Sequence, residues 1–215
     1  MIALASLEGW HITALDVKSA FLYGKLDEEI YMEQPKGFKV KGQETKVLRL
    51  HRALYGLRQA ALAWWKELAA SMKRLGFQHL SSDAGIFICK EKDDLVVAIV
   101  YVDDAMFFGK NLEWVRQKKQ IFMDTWECHD LGEAQEFLRM HIKRKGKMIY
   151  LYQTAYLDKV LQHFGMVNAK HSATPLPAGY NPSDNKSEPD PKLRQTYQSV
   201  IRSLLYIMLG TRHTL

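Results

Sequence analysis

The chain has 215 residues, 47% hydrophobic and 25% charged, with a formal net charge of +6 and a pI near 9.2. That is enough for one compact domain or a domain with appendages, and the positive balance favours a polyanionic partner through phosphate contacts and counterion release. No apolar run is long enough to span a bilayer, Met1–Ala5 lacks the basic start of a signal peptide, and neither Cys89 and Cys128 nor the eight scattered histidines show metal-ligand spacing, so an intracellular protein with reduced thiols and no membrane partner is expected.

In chain order, Trp10–Leu15 is a short apolar stretch that predicts a strand over 12–17, with Asp16 at its end. From Lys25 to Arg58 the chain is charged and irregular, with Pro35, Gly37 and Gly42, and reads as an excursion from the main body. Ala60–Leu75 predicts a helix with Leu62, Trp65, Leu68 and Met72 along one face, stopped at Gly76. Residues 86–109 are rich in β-branched and aromatic side chains and predict strands.

Within that segment, Leu95–Val100 and Ala105–Gly109 flank Tyr101-Val102-Asp103-Asp104, a hairpin of two buried strands with adjacent acids at its turn. Neighbouring carboxylates repel each other and resist desolvation. A divalent cation would remove that cost, and oxygen-only ligands suit Mg²⁺ or Mn²⁺. The plainer alternative is an Asp-Asp turn that simply faces water. If the 12–17 strand lies beside the hairpin, Asp16 joins Asp103 and Asp104 at one sheet end. Three carboxylates there could hold the two ions used for in-line phosphoryl displacement.

Asn111–Asp124 predicts a second helix, with Asn111 as N-cap and Glu113 in the first turn. Strands packed on one face by two helices give an α+β architecture. Residues 137–142 and 148–151 flank Lys143-Arg144-Lys145-Gly146-Lys147, a hairpin with a basic tip or a merely solvated charged turn. Thr154–Phe164 predicts an amphipathic helix. Pro175–Pro191 holds five of the six prolines and reads as a linker; Leu193–Leu209 is apolar enough for a helix without an obvious partner.

Several ordered motifs carry a family resemblance. Asp16-Val17-Lys18-Ser19-Ala20-Phe21-Leu22-Tyr23-Gly24 with Tyr31-Met32-Glu33-Gln34-Pro35, Leu54-Tyr55-Gly56-Leu57-Arg58-Gln59-Ala60 with Ala63-Trp64, and Tyr101-Val102-Asp103-Asp104 resemble the successive motifs of copia-type retrotransposon reverse transcriptases. Asp130-Leu131-Gly132-Glu133, Phe137-Leu138, Tyr197-Gln198-Ser199 and Ser203-Leu204-Leu205-Tyr206 continue the match, which covers essentially the whole chain.

The resemblance implies a right-hand polymerase palm, a ferredoxin-like antiparallel sheet with helices on one face. Residues 1–151 would form it, with a partial fingers insertion at about 25–58, the start of a thumb at 152–174, a linker at 175–192 and a truncated segment at 193–215. It further implies an RNA-directed DNA polymerase that uses deoxynucleoside triphosphates, an RNA or DNA template-primer and Mg²⁺ or Mn²⁺. Asp16, Asp103 and Asp104 would be catalytic, with Val17 beside them in the metal set and Asp104 the least direct ligand. Phe21, Gln59, Tyr101 and Val102 would meet the nucleotide and the primer end, and Phe137, Leu138, Arg139 and Met140 the primer strand. Read without the motifs, Phe21 is an ordinary core aromatic, Gln59 a solvent-facing residue at a helix start.

In that family more finger residues lie upstream of Asp16, so the chain reads as a piece of a Pol polyprotein, with integrase upstream and ribonuclease H downstream, in a cytoplasmic particle or the nucleus. Ala61-Leu62 stands where the family has Pro-Arg, and Arg202 where it has Gly. The competing expectation is a silent nucleic-acid-binding remnant that keeps the palm without the triphosphate grip.

Overall fold

The computed structural model describes residues 1–170, 172, 174, 179 and 190–212, which fall into two units: Met1–Gln135 with Arg144–Ile149, and Glu136–Lys143 with Tyr150–Leu215. Most of the linker expected at 175–192 lies outside the described residues.

The first unit begins with α1 (Ile2–Glu8) and β1 (His11–Val17), followed by a 3₁₀ turn over Ala20–Tyr23. β2 (Lys25–Glu33) and β3 (Val47–Arg52) precede α2 (Ala60–Arg74). Then come β4 (Gln78–His79), β5 (Ile86–Glu91), β6 (Asp94–Tyr101), β7 (Asp104–Gly109), α3 (Leu112–Thr125) and β8 (Cys128–Glu133). Six strands form one sheet in the order β4-β5-β6-β7-β1-β8 with every neighbour antiparallel. The chain is thus α+β, as its patterning indicates.

Strand alternation sends one set of side chains to each face. Leu15 and Val17 of β1, Phe87 and Cys89 of β5, Val96, Ala98 and Val100 of β6, and Ala105 and Phe107 of β7 meet α2 and α3 in one buried cluster. From α2 the cluster takes Trp64, Leu68 and Met72, and from α3 Trp114, Val115 and Phe122. The buried stripe of α2 therefore differs from the expected one. Leu62 is exposed and Trp65 half-buried, its indole donating to the Ala84 carbonyl at 2.9 Å. Trp64 lies inside because Gly24 lets the helix backbone approach it. A Cβ on Gly24 would come within 2.8 Å of the Trp64 amide nitrogen and 2.9 Å of the Ala63 carbonyl carbon. As expected, α3 starts on Asn111, whose side chain accepts from the Glu113 and Trp114 amides. Lys119, 6% exposed, ties α3 to β8 through Asp130 at 2.7 Å.

The charged stretch after Gly24 is not irregular. β2 and β3 pair antiparallel, and the loop between them is organised by Gln34. That buried amide donates to the carbonyls of Gln43 and Lys46 at 2.6 and 2.8 Å and accepts from the Val40 amide at 2.8 Å. Three local bonds here replace an apolar core, which is why hydrophobic periodicity gave no signal.

The expected single strand over 137–142 is broken. β9 (Glu136–Phe137) turns at once into β10 (Met140–Lys145), pairing Phe137 with Met140. Leu138 and Arg139 between them both have positive φ, 50° and 61°. This is the dihedral pattern of a type I′ turn, built without the usual Asn or Gly. β11 (Met148–Tyr152) completes the three-stranded sheet β11-β10-β9. The basic tip is partly tied down: Arg144 donates to the Trp10 carbonyl at 2.7 Å within the first unit.

In the second unit, α4 (Thr154–His163) precedes α5 (Pro191–Gly210), which is capped by Asp190 on the Lys192 amide. The terminal helix has partners that its sequence did not reveal. Tyr206 donates to the Leu138 carbonyl at 2.6 Å and packs on Tyr156 with ring centres 4.6 Å apart, while Thr211 donates to Gln153 at 2.8 Å. Among the described residues no helix is long and apolar enough to cross a membrane.

Because the atoms that crowd Gly24 are mostly backbone, they cannot rotate away. Gly24→Ala is expected to destabilise the first unit by about 1–3 kcal/mol, the usual range for overpacking, read as a lowered urea midpoint at unchanged slope.

Candidate active site

The antiparallel register of β1 with β7 places Asp16 directly opposite Asp104. Since Leu15, Val17 and Ala105 belong to the helix-side core, Asp16 and Asp104 lie on the other face of the sheet. Asp103 occupies the turn between β6 and β7, where Tyr101 pairs with Asp104. Its carbonyl accepts from the Val17 amide at 2.7 Å, locking the turn to the end of β1. All three acids are half-exposed, while Tyr101 is 59% exposed.

The turn is conformationally strained. Val102 has φ 59°, which a β-branched residue rarely adopts, whereas Asp103 is outside the left-handed region. Positive φ at the first central residue alone is the pattern of a II′ loop, whose twist suits a hairpin. The Val102 carbonyl accepts from the indole nitrogen of buried Trp64 at 2.8 Å. Beneath it, Trp64, Trp126 and Tyr23 form a ring cluster, Trp64 and Trp126 edge-on at 4.9 Å.

Phe21, half-buried in the 3₁₀ turn, lies 4.5 Å from Tyr55 between ring centres. Burial, followed by the negative charges of Asp103 and Asp16, pushes the Tyr55 phenol up from its ordinary value. Tyr55 is thereby part of the carboxylate end. Tyr55 and Trp64 both stand within the matched motifs, but residue type and spacing alone assign neither a role. Gln59 stands at the N-cap position of α2, half-buried, and its side chain makes no cap bond.

On the flank of β1 toward β8, Val17 pairs with Cys128 and Asp16 with His129. Burial, with the charges of Asp16 and Glu127, pushes the Cys128 thiol up to about 11, so it stays protonated at neutral pH. Lys18 hydrogen-bonds Glu127, raising the lysine and lowering the glutamate, which fixes the chain leaving Val17. Phe137, Leu138, Arg139 and Met140 sit together in the second unit at the β9–β10 turn, with Arg139 exposed.

Among the described residues no three His, Cys, Asp or Glu side chains stand close enough to form a ready metal-binding group. The three aspartates share a sheet end without making a closed cage. A cavity of about 530 Å³, lined by His11, Thr13, Arg116, Lys119, Asp130 and Glu133, lies toward the other end of β1. Enclosure is therefore not what marks the carboxylate end; register and turn geometry are.

Residues 1–178 match the family model described as reverse transcriptase (RNA-dependent DNA polymerase). The retrovirus-related Pol polyprotein from transposon TNT 1-94 of Nicotiana tabacum is 35% identical over 221 residues, covering 99% of this chain and 17% of that protein. The corresponding polyproteins from transposons RE2 and RE1 of Arabidopsis thaliana are 31% and 30% identical, each covering 96% of this chain and 14% of their own length. The chain thus spans less than a fifth of these relatives. With the motifs in order along the matched span, the chain belongs to the reverse transcriptase (RNA-dependent DNA polymerase) family, alongside the copia-type Pol proteins of plant retrotransposons.

Proposed function

We propose that this chain is the polymerase region of a retrotransposon Pol polyprotein and carries out RNA-directed DNA synthesis, adding deoxynucleotides to a primer 3′-OH. The observation that carries the reading is the Asp16–Asp104 register pair with Asp103 at the adjoining turn, on the sheet face opposite the helices. β1, α2, β6, β7, α3 and β8 follow the β-α-β-β-α-β order of a ferredoxin-like unit, which supports assignment of residues 1–151 as palm. The β2–β3 hairpin, within 25–58, would be the fingers portion and 152–174 the start of a thumb. Residues 175–192 would link it to a segment at 193–215 that leads toward a ribonuclease H domain, with integrase upstream of the whole.

Asp16, Asp103 and Asp104, with the backbone carbonyl of Val17, would hold Mg²⁺ or Mn²⁺. The all-oxygen donor set fits such ions, and Mg²⁺ is ordinarily held by one or two carboxylates with waters and substrate phosphates rather than by an all-protein cage. When bound, the ions supply charge neutralisation at the attacking and leaving oxygens. Phe21, braced by Tyr55, would set a ring against the nucleotide C2′ and exclude a 2′-OH. Tyr101 and Val102 would line the primer end, Gln59 would contact the nucleotide, and the Phe137–Met140 turn would bear on the primer strand. The net charge of +6 supports a phosphate-dominated grip.

Asp103→Asn removes one carboxylate charge without changing shape. Primer extension should fall by more than about a hundredfold, while template-primer binding by fluorescence anisotropy persists or tightens and weakens steeply with salt. Equal extension by both proteins would remove Asp103 from the mechanism. Binding without extension by the parent chain, even when joined to the family's upstream finger segment, would leave a nucleic-acid-binding remnant instead.

Truncating the ring tests the sugar gate. Phe21→Val should shift the ratio of ribo- to deoxynucleotide incorporation by about tenfold or more toward ribonucleotides, the scale of one lost steric contact. It should also cost less stability than the 3–5 kcal/mol typical of Phe→Ala. An unchanged ratio in a folded, active variant would leave Phe21 as packing alone.

A further inference from the structure

We propose that Trp64 is a positioning residue for the carboxylate turn: its indole N–H holds the Val102 carbonyl, and so fixes the central peptide of Tyr101–Asp104 in the one orientation that presents Asp103. This rests on the polymerase reading for its functional consequence, but not for its geometry.

A two-residue hairpin turn has one peptide between its central residues, here Val102–Asp103. In a II′ turn only the first central residue has positive φ; rotating that peptide by about half a turn gives type I′, in which both do. The flanking strands scarcely move in such a flip, yet the second central residue changes backbone conformation and redirects its side chain. The structure has the first form, with Val102 at φ 59° and Asp103 outside the left-handed region. Val102 gains nothing from this conformation itself, since a β-branched side chain is disfavoured there. Something outside the turn must select it.

The selecting contact is the carbonyl of that same peptide. Trp64 Nε1 donates to it at 2.8 Å, and Trp64 is only 3% exposed, so water does not readily substitute. The donor is itself immobilised. Trp126 packs edge-on against the Trp64 ring at 4.9 Å, Tyr23 lies 5.8 Å from it, and Gly24 sets how deeply α2 descends. The neighbouring carbonyl, that of Asp103, is separately held by the Val17 amide. One clamp anchors the turn to β1, and the other chooses which way its central peptide faces. A carboxylate misdirected by a flip would lose its place beside Asp16 and Asp104.

The test compares Trp64→Phe, which keeps an aromatic ring but deletes the donor, with Trp65→Phe, which makes the same change at the next position of α2. The Trp65 indole donates away from the turn, to the Ala84 carbonyl at 2.9 Å, and its ring is outside the Trp64, Trp126 and Tyr23 cluster, so its loss serves as the control. In Trp64→Phe the backbone ¹³Cα and ¹³Cβ shifts of Asp103 should move away from their parent values. Mn²⁺ affinity of the purified chain, measured by titration, should fall about tenfold or more, the usual effect of losing a group that orients a ligand. Primer extension should fall in kcat with little change in the nucleotide KM. Trp65→Phe should leave all three near parent values despite a lower melting temperature.

Unchanged Asp103 shifts in a folded Trp64→Phe protein would overturn the proposal, as would equal losses in both variants. Should Trp64→Phe not fold, site-specific benzothienylalanine at position 64 replaces N–H by sulfur at nearly constant shape, and the same shifts decide. If the parent chain neither binds Mn²⁺ nor extends primers, the polymerase reading falls, while displaced Asp103 shifts in the variant would still establish the peptide lock.

Discussion

Everything at the carboxylate end depends on the antiparallel register of β1 against β7. Side chains on a strand alternate strictly, so a slip of one residue would turn Asp16 into the helix-side core and bring Leu15 out. Such a slip is prevented from both sides. Leu15 and Val17 are each 1% exposed against residues from α2 and α3, and Phe107 is wholly buried on the neighbouring strand. The acids are thus held in place by the apolar residues beside them. A buried carboxylate would be far more costly than an exposed leucine, which makes the pairing self-correcting.

Under the turn, the protein spends its largest side chains. Trp64, Trp126 and Tyr23 lie where α2, the 3₁₀ turn and the end of α3 converge, and they fill the space directly below a strained backbone. Strain of this sort persists only where surroundings over-determine the conformation. Here the determinants are a close helix approach at Gly24, an indole donor and a strand amide. Electrostatics act above the turn rather than beneath it: Asp103 and Asp16 raise the Tyr55 phenol, and Lys18 neutralises Glu127 at the strand exit.

Hydrophobic runs and caps carried the α+β class, both main helices and the strand-turn-strand around Asp103 and Asp104. Those elements owe their form to local pattern, which is what a chain displays openly. Less legible was whatever depends on a single polar side chain or on close packing. The β2–β3 loop is built around Gln34, and no periodicity announces one amide making three bonds. The Leu138-Arg139 turn adopts left-handed angles without Gly or Asn, so its composition points to a continuous strand. Trp64 and Trp65 are adjacent, and only the approach of Gly24 decides which faces inward. Tyr55 reaches the acids through folding of a loop whose residues carry no signal of their destination.

The sheet that carries the acids is open at both ends, and open sheets invite further strands. Its two margins are poor hosts. β4 is only two residues long, too short to template a stable ladder, and β8 is kinked by a register shift opposite Ala14-Leu15. β8 also bears Asp130, Gly132 and Glu133, two charges and a flexible residue where a flat apolar edge would be hazardous. A sheet left open in this way is not protected by closure into a barrel. Its unpaired backbone is instead made unattractive, which guards against recruiting copies of the chain into fibres.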